Sequence, residues 1–178
     1  MSGAKAGPAR KPAAAPASLA DQALGAWRVH DEINDLLIDA IPDEGFAAVP
    51  LGSRGRDVMR QLMHMHNVRV KWMQHNNAPE ARALTLHRKE EALSRAELKS
   101  ALRDSGRAFE RFLRRLMEEG GKTKMFKGEP LRMMCYLISH ESHHRGSIAL
   151  ALKQNGLRLP EEVAIRVLWE KWFYGAPK

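Results

Sequence analysis

The chain has 178 residues, a hydrophobic content of 44% and a formal net charge of +8, enough for one domain with its own core. No apolar run nears the ~18 residues that a membrane span requires. The N-terminal MSGAKAGPARKPAAAPASLA also lacks the continuous apolar segment of a signal peptide, so a soluble cytoplasmic protein is expected. The basic residues are scattered through segments such as LRDSGRAFERFLRR and KTKMFKG without a nucleic-acid-binding signature, and read as solvated helix faces.

Residues 1–18, rich in Ala, Pro, Gly and Lys, read as a disordered basic tail, leaving 19–178 as the folded domain. From Ser18 the pattern turns helical, with Leu24, Trp27, Ile33, Leu36 and Leu37 near one face and Pro42 just past the end. A Pro/Gly-containing connection leads to a second helix from about Arg56 to His75, followed by a long polar loop over 76–93. The third helix opens at Ser94 with a capping box completed by Glu97 and ends at Gly120-Gly121. The fourth begins near Pro130 and stops at Asn155-Gly156. It carries Cys135, the one cysteine, which excludes an internal disulfide, suits a reducing compartment and reads as a small buried residue. A shorter fifth helix starts at Pro160, with Glu161 and Glu162 complementing its dipole. No segment alternates like a strand. The expectation is an all-α four-helix bundle with an additional short C-terminal helix.

The stretch LISHESHHRGSIALAL contains HESHH, a match to the H-E-x-x-H of zinc proteases. His140 and His144 lie one helical turn apart, about 40° apart around the axis, and could share a metal. Two ligands do not complete a site. The long protease form fails downstream, where Ser147 and Leu150 stand in place of glycine and histidine, and no strand is at hand to hold a peptide. Glu141 also has a plain account as an i,i+4 partner of Arg145. Upstream, the second helix offers His64 and His66. Periodicity places His66 among Met59, Leu62, Val70 and Met73, whereas His64 shares a face with Arg60, Asn67 and Lys71.

The phrase DVMRQLMHMHNVRVKWM, followed about 75 residues later by HESHHRGSI, resembles the DinB/YfiT family of small four-helix-bundle proteins. Val58, Leu62 and His64 match the family's first phrase; His140, His144, Arg145, Gly146 and Ile148 match its H-x-x-x-H-R-G-x-I segment. The resemblance spans residues 19 to 155 and implies His64, His140 and His144 as ligands of a divalent metal, so it is followed over periodicity. His30, His75, His87 and His143 then read as surface or packing residues. Zinc or nickel suits three imidazoles. The resemblance further implies a metal-dependent enzyme acting on a small-molecule substrate, either a thiol-dependent S-transferase using a low-molecular-weight thiol or a hydrolase. Glu141 and Asn67 are candidates to assist. The alternative is a non-catalytic stress-related bundle with a structural or vestigial site. A homodimer is expected from the apolar surface of Val58, Leu62, Met65 and Trp72 and of the segment LRMMCYLI, and the resemblance also favours one.

Overall fold

The computed structural model describes residues 17–174; the tail expected over 1–18 lies almost wholly outside the described residues. Four long helices follow in order: α1 (Leu19–Ala40), α2 (Val58–His75), α3 (Arg95–Glu118) and α4 (Pro130–Gln154). Short 3₁₀ turns occupy Asp43–Ala47, Pro79–Ala81 and Phe126–Gly128, and a π-helical stretch, Glu162–Glu170, runs into α5 (Lys171–Tyr174). The short fifth helix expected after Pro160 is thus present and largely π-helical. Every element among the described residues is helical, and none is a strand.

Local chemistry sets these boundaries. Ser18 caps α1 by accepting the Asp21 N–H, and Ile41, ahead of Pro42, is pushed into extended conformation by the proline ring. Asp57 accepts the Arg60 N–H, which starts α2 two residues later than the hydrophobic pattern suggested. The capping box is present: the Glu97 N–H donates to Ser94 Oγ and the Ser94 N–H to the Glu97 carboxylate. At the far ends of α3 and α4, Gly120 and Gly156 adopt φ of +63° and +76°. These left-handed residues turn the Gly121 N–H back to Leu116 and the Leu157 N–H to Leu152, both at 2.8 Å, closing the helices as Schellman caps.

α3 packs against α1 and α2, and α4 against α1, α2 and α3. The buried apolar residues form two clusters. One gathers Leu37, Ile38, Val58, Leu62, Met65, Leu98 and Ile148; the other gathers Leu24, Trp27, Met73, Phe109, Phe112, Met133 and Leu137. Between the members of the two clusters each long helix places buried polar residues: His30 and Asn34 on α1, Arg69 on α2, Ser105 on α3, Glu141 and His144 on α4. The core is therefore apolar at both ends and charged across its middle.

Two expectations change here. Val58, Leu62 and Met65 have no exposed surface, and Met133 and Leu137 are equally sealed, so much of the apolar surface invoked for a homodimer is buried within one chain, while Leu131 and Tyr136 of the segment LRMMCYLI stay exposed. Trp72, half-buried, packs on Phe126 and Tyr136. Cys135 is exposed, because its neighbours Met133, Met134 and Leu137 take the inward face of α4 and leave position 135 outward.

Candidate metal centre

The packing of α2 against α4 brings three imidazoles together. The His64 ring lies 5.2 Å from that of His140 and 5.0 Å from that of His144, and the latter two are 4.7 Å apart, centroid to centroid. One ring nitrogen from each falls within 4.8 Å of the others, close enough to bind one metal ion. One turn earlier on α4, Tyr136 stacks on His140.

The chemistry of the donor set suits a metal. Burial, reinforced by Arg56 and the neighbouring His140, holds His64 down to about 4; burial and the two partner rings do the same for His144. Burial also lowers His140. At neutral pH all three are uncharged, the form that donates a lone pair. Gln61 selects the tautomer of His144. Its amide nitrogen donates to the Arg56 carbonyl, leaving Oε1 to face His144 Nδ1 at 3.3 Å; the proton then sits on Nδ1 and the Nε2 lone pair is free. The buried Nδ1 of His140 has no hydrogen-bond partner.

His66 is placed differently. It is buried, as periodicity required, but its Nδ1 and Nε2 face the carbonyls of Ala101 and Thr85 at 2.8 and 2.9 Å. It ties the 76–93 segment to α3. Periodicity found the inward histidine of α2, while the metal-competent one lies on the half-buried flank. Asn67 is also committed, exchanging hydrogen bonds with the His87 main chain through both of its amide atoms, which removes it as an assisting residue. His75 and His143 are exposed, and His87 is half-buried against Glu91. His30 is the fully packed one of these four, buried in the core.

Glu141 does not face the three rings. It is fully buried, with Arg69 Nε donating to one oxygen at 2.6 Å and Arg69 Nη2 to the other at 2.6 Å. The second oxygen also accepts from His30 Nε2 and Asn34 Nδ2, each at 2.7 Å. Arg69 turns its remaining arm to Asp31 and the Leu102 carbonyl. Burial alone would raise the Glu141 carboxyl, but Arg69 and His30 outweigh it and hold it far below the usual carboxylate range. Arg145 is not its partner: it donates to Asn34 Oδ1, Ser142 Oγ and His30 Nδ1. With Nδ1 accepting, His30 carries its proton on Nε2 and donates it to Glu141. A carboxylate engaged in this way cannot activate a water, so the protease reading of HESHH is excluded. Sequence reasoning missed Arg69. The signal was a charged residue on the same stripe as His66, Val70 and Met73, which demands a buried counter-charge.

On its solvent side His64 forms part of the wall of a cleft of about 500 Å³ between α2 and the segments 54–56 and 87–89. Arg60, His64, Asn67 and Lys71, the four residues that share a face by periodicity, all line it.

No curated protein matches the sequence. The family model described as the DinB family matches residues 16–172, nearly the whole chain, carrying both the α2 histidine and the late H-x-x-x-H-R-G segment, and the protein belongs to the DinB family.

Proposed function

We propose that α1–α4 form a four-helix bundle of the DinB type in which His64, His140 and His144 hold a divalent metal ion, zinc or nickel, and that the protein is a metal-dependent enzyme acting on a small molecule, as a thiol-dependent S-transferase or a hydrolase. The carrying observation is the trio itself: among the described residues it is the one group of three or more histidine, cysteine or carboxylate donors near enough to share an ion. Nitrogen donors without a carboxylate favour zinc or nickel over magnesium or calcium. When bound, such an ion would supply a water of lowered pKa or a site for a thiolate. The chain's own residues prepare the site. Gln61 fixes the His144 tautomer, Tyr136 braces the His140 ring, and the Arg69–Glu141 pair holds α4 against α2.

The test is metal analysis of the purified protein and its single variants. His64→Ala, His140→Ala and His144→Ala should each lose most of the bound metal, since two imidazoles bind far more weakly than three. His66→Ala should keep its metal while melting at lower temperature. If His64→Ala retains metal and His66→Ala loses it, the assignment fails.

A further inference from the structure

The cleft beside His64 has a lopsided wall. Six of its residues are cationic: Arg54, Arg56, Arg60, Lys71, Arg88 and Lys89. No aspartate or glutamate lines it. Arg60 is neutralised by Asp57 and Arg88 by Glu91. Arg54, Arg56, Lys71 and Lys89 form no ion pair among the described residues, although the surface around them is laced with such pairs elsewhere, from Arg28–Glu110 to Lys171–Glu32. Four unpaired cations around one concavity repel one another, a cost that a bound anion would relieve. Arg56 and Lys71 also bear electrostatically on His64, and Arg56 on His140 and His144 as well. The basic wall therefore meets the three-histidine cluster at His64, which lines the cleft and lies against His140 and His144.

From this arrangement we infer that the substrate is an anionic small molecule, its phosphate or carboxylate group drawn in by the unpaired cations of this wall, Arg56 and Lys71 among them, so that the rest of the molecule lies beside the three-histidine centre. A cleft of about 500 Å³ falls within the range of small-molecule sites. It is too confined for a nucleic acid, whose recognition spreads over a much larger basic surface. The inference deepens the metal-enzyme reading and rests on it only for the second half: the anion contacts are made by the cations, with or without metal.

The experiment is calorimetric titration of the full chain with phenyl phosphate, with benzoate and with neutral phenol, in metal-loaded protein and in protein stripped with EDTA and dialysed. Phenyl phosphate or benzoate should bind and phenol should not, and the tighter of the two identifies the anion preferred. Arg56→Gln and Lys71→Gln should each weaken binding roughly threefold to fivefold, the upper part of the range for one exposed ion pair, with or without metal. Lys153→Gln removes the same charge on an exposed part of α4 outside the cleft and should leave binding unchanged. Far-UV melting confirms that the variants fold. Binding indifferent to Arg56 and Lys71, equal binding of phenol, or a short oligothymidylate binding far more tightly than both small anions would each overturn the inference. A protein that takes up no zinc or nickel when either is offered, yet still binds the anion through these cations, would refute the metal reading and leave the anion site standing.

Discussion

Replacing Glu141 with glutamine should destabilise the fold before it affects any chemistry. The side chain keeps its shape but loses its charge and one of its two acceptor atoms. In one orientation the new amide faces Arg69 Nε; in the other it faces three donors, from Arg69, His30 and Asn34. Either way donor meets donor in a site with no exposed surface. Breaking a buried ion pair from one side costs about 3–5 kcal/mol, and the lower end applies because Asp31 still contacts Arg69. For a chain of this size about 3 kcal/mol lowers the melting temperature by roughly 6–12 °C. Thermal and urea unfolding followed by circular dichroism, in EDTA so that metal does not contribute, reads the change. The double variant Arg69→Met/Glu141→Met should lose much less than the two single variants added together, since neither charge is then stranded. A Glu141→Gln protein as stable as the parent but lacking a peptidase activity that the parent shows would refute the reasoning and restore the protease reading.

Acid should act on the same pair. The folded-state carboxyl of Glu141 ionises at lower pH than the unfolded one, so its stabilisation is complete above about 4.3 and is lost as pH falls through the folded value; Glu141→Gln should flatten that limb of a stability–pH curve. Gly106→Ala should destabilise by about 1–3 kcal/mol, seen as a lower urea midpoint. A methyl group there would lie 2.3–2.5 Å from the Asp31 carboxylate, which Arg69 pins at 2.7 Å. Cys135, exposed on α4, should react with a disulfide reagent in native buffer about as fast as in denaturant, and slow native labelling would show that something covers that face.

The helices were legible in the sequence because their ends are local events. The Ser94–Glu97 box, Pro42, Pro130 and the glycines at 120 and 156 each act within a few residues, and each stands where the pattern placed it. The partners across the core were not legible, because they depend on which helix faces which. Glu141 offered Arg145 as a neighbour four residues on; its actual partner, Arg69, is 72 residues away. Periodicity also answered a different question from the one asked of it. It ranks positions by burial, and it ranked His66 correctly, but donors for the proposed metal belong at the edge of the core, where His64 stands in the wall of a cleft.

The five residues HESHH face two surroundings because a helix turns through about 100° per residue. His140 and His144, one turn apart, present neighbouring edges toward His64 on α2. Glu141 is rotated by a full 100° step from His140, away from that edge and into the buried layer where Arg69, His30 and Asn34 wait. In a protease the glutamate of the same motif must share the metal's solvent pocket to take a proton from water; here the cation on the apolar stripe of α2 captures it first. The order of residues along α4 is the same in both cases, and what separates them is the residue opposite. Arg69 therefore decides the meaning of the motif: it converts a potential general base into the charged pin that sets α2 and α4 at the separation their histidines share.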